Sequence, residues 1–225
     1  MNSVPATVLV TGCDRGIGRE FVRQYAANGT RVIAIGLGPT SPFSQCEGLA
    51  NIEFHELDLT HHSSVERFAK DVRNQPIDIL INNAGIGGPH PGFGKTDYDL
   101  WRKMLEVNLM APLKLTEALV EKVAASELKT IVFISSRMGS ITLNNSGSSY
   151  AYRSSKAGLN MVVKSLAIDL APRGICVLSL HPGRVGPASA LSVEQSVASM
   201  CDIIARAGPH QTGAFLSHSD QLLPW

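Results

Sequence analysis

Short runs rich in Val, Ile and Leu recur along this 225-residue chain, and longer stretches of helical periodicity lie between them. The runs fall at residues 7–11, 31–35, 52–57, 77–82, 130–135, 175–180 and 213–216. Most lack the apolar–polar alternation of a sheet with one wet face, so they read as parallel strands covered on both sides. The spacing predicts helices over 16–28, 63–74, 97–125, 154–171 and 192–207. Gly29 suits the position after a helix end. Ser63 and Glu66 have the spacing of a capping box. Pro112 removes a donor and predicts a break in the long helix near 108–112. Pro172 with Gly174, and Gly208-Pro209, stop the last two helices. Repeated β-α units of this kind predict one doubly wound α/β domain over residues 1–225, with a mostly parallel seven-stranded sheet and helices on both faces.

Charge and composition exclude several function classes. Lys and Arg total 20 against 19 Asp and Glu, a formal net charge of +1, and no basic run stands out. A nucleic-acid footprint is therefore not expected. No apolar run approaches the roughly 20 residues of a membrane helix. Residues 1–5 lack the basic and apolar regions of a signal peptide, so a cytoplasmic location is expected. Cys13, Cys46, Cys176 and Cys201 are scattered and read as free thiols in a reducing compartment. His61-His62 has no matching Cys or carboxylate spacing, so it reads as solvated and no metal is expected.

The first apolar run leads into Thr11-Gly12-Cys13-Asp14-Arg15-Gly16-Ile17-Gly18, which opens the first helix. Gly12 permits a tight turn, Gly16 lets backbone approach a pyrophosphate, and Gly18 allows helix and sheet to pack closely. The helix N-terminus offers N–H groups and a positive dipole end to phosphates. The spacing is G-x-x-x-G-x-G rather than the commoner G-x-G-x-x-G. Its place between strand and helix marks a Rossmann-type dinucleotide site.

Tyr152 and Lys156 lie four residues apart in a predicted helix, so they share a face. An ammonium beside a phenol favours the phenolate and is expected to lower its pKa from about 10. Such a tyrosine can serve as a general acid or base near neutral pH. Tyr150 has no such partner, because position 154 is Ser.

These segments, taken in order, resemble a short-chain dehydrogenase/reductase. The glycine loop is similar to that family's T-G-x-x-x-G-x-G, and Asn82-Asn83-Ala84-Gly85 to its N-N-A-G element. Asn108, in Val107-Asn108-Leu109, stands at the family's helix asparagine. Ser135-Ser136 resembles its serine motif, Tyr152 and Lys156 its Y-x-x-x-K, and His181-Pro182-Gly183 its P-G element. The wording of 134–141, 150–156 and 222–225 is similar to the C-factor-like and sniffer-like carbonyl reductases. The resemblance implies an oxidoreductase that moves a hydride between a nicotinamide and a small carbonyl or alcohol substrate. Its catalytic set would be Asn108, Ser136, Tyr152 and Lys156. Tyr152 would pass the proton, Lys156 would tune it and hold ribose hydroxyls, Ser136 would donate to the substrate oxygen, and Asn108 would hold a water. Cofactor contacts are implied at Gly12, Asp14, Arg15, Gly16, Ile17, Gly18, Asp58, Leu59, Asn83, Ala84, Gly85, Tyr152, Lys156, Pro182, Gly183 and Val185. Asp58 reads equally well as an adenine acceptor or an Asx-turn. His181 reads as a satisfied structural histidine.

An NAD-type site wants an acid about 20 residues past the glycines. Ile35-Gly36-Leu37-Gly38-Pro39 has none, whereas Arg15, with Thr40 and Ser41, can face a 2′-phosphate. NADP is favoured over NAD. Two departures from the family pattern stand out. Ser136 lies sixteen positions before Tyr152, a longer gap than usual, with a polar surplus at 144–149 expected to bulge outward. The segment after Gly183 has no Thr to hold a carboxamide; the Val185 backbone and Ser189 are its substitutes, and a short, open cover is expected. The second reading is a catalytically quiet nucleotide-binding regulator on the same fold. The family often forms dimers or tetramers, and a monomer is also compatible.

Overall fold

A computed structural model describes residues 6–38, 50–72, 75–186, 189 and 191–225. Its strands are β1 (Thr7–Thr11), β2 (Arg31–Gly36), β3 (Ile52–Glu56), β4 (Ile79–Asn82), β5 (Thr130–Ile134), β6 (Cys176–His181) and β7 (Phe215–Ser217). They pair in parallel in the order β3-β2-β1-β4-β5-β6-β7. The chain builds outward from β1 to β3, then crosses back to lay β4 beside β1. That reversal leaves a crevice at the carboxyl ends of β1 and β4, where open α/β sheets bind ligands.

Alternate strand residues enter opposite layers, as the two-residue period demands. Val8, Val10, Ile79, Ile81 and Val132 pack with Phe21 and Val22 of α1 (Gly16–Ala27) and Val197 and Met200 of α6 (Val193–Ala205). Leu9, Ile33, Leu80, Ile131 and Phe133 face the other layer. There they meet Phe68 of α2 (His62–Asp71), Leu115 and Leu119 of α4 (Ala111–Ala124), and Leu159 and Val163 of α5 (Tyr150–Leu170). Each such buried side chain contributes about 1.5–3 kcal/mol. The inner strands β1, β2, β4, β5 and β6 are apolar on both faces because both faces are covered, whereas the edge strand β3, Ile52-Glu53-Phe54-His55-Glu56, alternates and is only half-buried.

Several local expectations need correction. The Ser63–Glu66 capping box does not form. α2 begins at His62 with no side-chain cap, and Glu66 instead reaches Lys114 at 2.5 Å. The long helix does not break at Pro112. α3 (Tyr98–Leu105) runs through a π-type turn (Glu106–Met110) into α4, with Ala111 N–H donating to Glu106 O. The wider turn carries the chain up to Pro112, which sits in the first turn of α4 where a missing donor costs little. α5 starts at Tyr150, earlier than predicted, so Tyr152 and Lys156 are both helical. A capping box does form at α6, between Ser192 and Gln195.

The crevice is held by one hydroxyl. Thr11 Oγ1 accepts from Asn83 N–H at 3.0 Å and Ala84 N–H at 2.9 Å. Asn83 Nδ2 donates in return to Thr11 O at 2.8 Å and Gly12 O at 3.2 Å. A side chain at Gly18 would strike both Gly12 O and Asn83 Nδ2. Gly18→Ala should therefore destabilise by about 1–3 kcal/mol, read as a lower urea midpoint. An unchanged midpoint would show that this contact is slack.

Candidate functional site

A cleft of about 730 Å³ opens at the β1–β4 divide. The glycine loop supplies one end, through Gly12, Asp14, Arg15, Gly16, Ile17 and Gly18. Gly12 has φ +67°, and a Cβ there would lie 2.8 Å from Ala84 Cα, so only glycine fits. Gly16 has φ +57° and open space around the position of its missing Cβ. α1 starts at Gly16 with no side-chain cap, so its first N–H groups and dipole are available to an anion. This is a cradle suited to a pyrophosphate, and the cleft volume lies in the range of cofactor sites.

The middle of the cleft is formed by Asp58, Leu59, Asn83, Ala84 and Gly85. Asp58 Oδ1 accepts from Thr60 N–H at 2.9 Å and Thr60 Oγ1 at 2.7 Å, an Asx-turn. Asp58 also lines the cleft, so the turn and the ligand-facing position coincide. Desolvation raises its pKa, but the Thr60 hydrogen bonds outweigh it and hold the carboxyl below its ordinary value. Ile86, Lys103, Val107, Ala111 and Val193 also line the cleft. Apart from Val107, which flanks Asn108, no motif marked them; they arrive because the loop after β4, α3, the π-type turn, the start of α4 and α6 pack around the crevice. Thr11 carried a signal, as the first letter of the glycine motif, but its link to β4 was not read from it.

Tyr152, Lys156, Pro182 and Val185 form the far end. Tyr152 hydrogen-bonds to Ser136. Ser136 Oγ accepts from Met138 N–H at 3.1 Å, which leaves its own proton free to donate. Lys156 is buried, and its Nζ donates to Ile134 O at 2.9 Å. The expected lowering of the phenol is not found. Burial pushes the Tyr152 pKa above its ordinary value, and only the Ser136 hydrogen bond opposes it. The ammonium directs one of its three N–H donors to the Ile134 carbonyl, and burial brings Lys156 down to about 8.

Asn108 lies fully buried behind Gly85. Its Nδ2 donates to Ile86 O at 2.9 Å and Ser155 Oγ at 3.0 Å, and its Oδ1 accepts from Ile86 N–H at 2.8 Å. The π-type turn thus ties the β4 loop to α5. A Cβ at Gly85 would sit 3.2 Å from Asn108 Oδ1 and 3.6 Å from Lys156 Nζ. Gly85 therefore keeps the space between these groups open.

Gly183, alone of the cofactor contacts expected, stays out of the lining. Its φ is +82°, and its position is packed against Leu191 and His218. The following segment bonds to itself. Val185 bridges Leu191, and Ser189 Oγ donates to Arg184 O. The Ser189 hydroxyl is thus committed within the turn. The surplus at 144–149 bulges only in part: residues 144–147 are exposed, but Ser149 is buried and its N–H donates to Pro91 O at 3.1 Å. The turn after Ser136 is anchored by Trp225 O, which accepts from Ser140 Oγ at 3.2 Å and Thr142 N–H at 3.1 Å. His181 is not a satisfied histidine: its buried Nδ1 has no partner among the described residues. Burial, then His218 and Arg137, bring its pKa to about 4, so the ring is neutral. Cys13, Cys176 and Cys201 are free thiols, and no metal-ligating group occurs among the described residues. Thr40, Ser41 and Cys46 lie outside them. No helix of the described residues is long and apolar enough to cross a membrane.

Lys156 yields a stability test. Its folded pKa of about 8 lies below the ordinary value of 10.5, so folding disfavours the ammonium. The penalty is complete below pH 8 and is relieved as pH rises toward 10.5. Lys156→Met removes this titration. Wild type should gain about 2 kcal/mol on the variant between pH 7 and pH 10, measured by urea denaturation. A flat difference would count against the buried, readily neutralised ammonium.

Comparison with known proteins places these features in context. The family model described as short chain dehydrogenase matches residues 6–197. The C-signal protein of Myxococcus xanthus is 37% identical over 163 residues, covering 70% of this chain and 98% of its own. The carbonyl reductase Sniffer of D. melanogaster superposes with a TM-score of 0.88 at 28% identity, covering 99% and 100% of the two chains. An NADPH-bound carbonyl reductase from chicken fatty liver gives the same score, identity and coverage.

Proposed function

The chain belongs to the short-chain dehydrogenase/reductase family of NAD(P)-dependent oxidoreductases, and on that premise we propose that it reduces a small carbonyl compound with NADPH, Tyr152 acting as the general acid. The observation that carries this reading is the placement of Tyr152 and Lys156, one helical turn apart, at the end of a cleft whose other end is a phosphate cradle.

A bound nicotinamide nucleotide supplies the hydride. Gly12, Gly16 and the first turn of α1 would hold its pyrophosphate. Asp58, Leu59, Asn83, Ala84 and Gly85 would flank the adenosine, and Pro182 and Val185 the nicotinamide. Lys156 would hold the ribose hydroxyls. On the protein side, Tyr152 begins protonated, as its raised pKa favours, and gives its proton to the carbonyl oxygen. Ser136 donates a second hydrogen bond to that oxygen as negative charge grows there. An amide oxygen has two lone pairs. Ile86 N–H takes one at Asn108, and the other is where a water linking Lys156 to solvent would be held. A short cover after Gly183 would leave the substrate side open and would suit varied or bulky carbonyls.

NADPH is favoured by Arg15 in the cleft lining, by the absence of an acid in the sequence 35–39, and by the NADPH-bound chicken relative. The test is absorbance loss from NADPH against a panel of aldehydes, ketones and diketones. Tyr152→Phe should reduce turnover at least ~100-fold, and Ser136→Ala by about 100-fold, while nucleotide binding persists in both. If wild type and Tyr152→Phe are equally inert yet bind NADPH, the quiet regulator replaces the enzyme.

A further inference from the structure

The acid that the sequence lacks after β2 arrives from the glycine loop. Asp14 Oδ1 accepts from Leu37 N–H at 3.0 Å and from Gly38 N–H at 3.0 Å, and Oδ2 lies 3.1 Å from the same Leu37 nitrogen. Leu37 and Gly38 are the two residues that follow β2. The carboxylate also lies across the end of that strand. A Cβ at Gly36 would stand 2.6 Å from Asp14 Oδ1, so the last residue of β2 is free of a side chain where the carboxylate crosses it. Asp14, Gly36 and Leu37 all line the cleft.

A dinucleotide site reads the adenosine ribose at this strand end. A carboxylate there accepts from the 2′-hydroxyl, whereas a cation there accommodates a 2′-phosphate. Here both charges come from consecutive residues of one loop, Asp14 and Arg15. A carboxylate offers about four acceptor sites. The two N–H donors among the described residues hold its position and leave it able to accept from a ribose hydroxyl.

We propose that Asp14 sets cofactor choice by opposing the 2′-phosphate that Arg15 attracts, so that NADH is accepted nearly as well as NADPH. This rests on the nucleotide-binding reading above and narrows it: the preference for NADPH is contested within the loop rather than strict. The carboxylate and a 2′-phosphate are like charges in a partly solvated site, so the effect is electrostatic and weakens with salt.

The test is direct binding, read by nicotinamide fluorescence with the whole chain, and needs no turnover. Wild type should bind NADPH and NADH with dissociation constants within about tenfold of each other. Asp14→Asn keeps an acceptor for Leu37 and Gly38 N–H but removes the charge. It should shift the ratio toward NADPH by about tenfold, and by less at 0.5 M NaCl. Competition on the unaltered protein gives an independent measure. Adenosine 2′,5′-bisphosphate should displace NADH no more than about threefold better than adenosine 5′-monophosphate. A ratio unchanged in a folded Asp14→Asn, or a wild type that prefers the bisphosphate by a hundredfold, overturns the proposal. Failure of the wild type to bind either dinucleotide overturns the nucleotide reading itself.

Discussion

The site depends on the close passage of two backbones at the β1–β4 divide. Gly12 crosses so near Ala84 that a Cβ could not fit, and the Thr11 hydroxyl binds two successive N–H groups of the β4 end. These contacts join a loop at residue 12 to one at residue 84. They set the floor of the cleft against which α1 presents its N-terminus. If that passage widened, the phosphate cradle and the Tyr152 end would no longer belong to one surface, because both are tied to the end of β4, the first through Thr11 and the second through Asn108.

The end of the cleft proposed as catalytic works against its own solvation. Tyr152 and Lys156 are both pushed toward their neutral forms by burial. The phenol is thereby kept in the state a proton donor needs, and the Ser136 hydroxyl is the one group found to favour its ionised form. Lys156 is held by a main-chain carbonyl of β5. A lysine readily neutralised at this depth suits the ribose contact proposed for it better than a permanent ion pair would.

The parallel sheet was legible in the sequence because strands covered on both faces must be apolar throughout, and those runs stand out. The glycine loop, Asn83–Gly85, Tyr152 and Lys156 were legible because each serves a local geometric need. What stayed hidden was set by tertiary contact. Glu66 has the spacing of a cap, but Lys114 from another helix competes for it. The direction of the Tyr152 shift was misjudged because helical spacing places two side chains on one face without saying which acceptor the lysine meets. The strand end after β2 looked free of acid because position along the chain does not report what folds back over it.

The π-type turn at Glu106–Met110 has a geometric consequence of its own. One extra residue in a helix amounts to a rotation of about 100° between the segments on either side. α3 and α4 are thus a single rod cut out of phase. The first part turns Trp101 toward Ser154 of α5, and the second turns Leu115 and Leu119 into the sheet. Asn108 occupies the joint. Excising a single residue there would leave composition and helicity almost untouched, yet it would turn one half of the rod away from its neighbours, so the joint depends on its length as well as on the Asn108 hydrogen bonds.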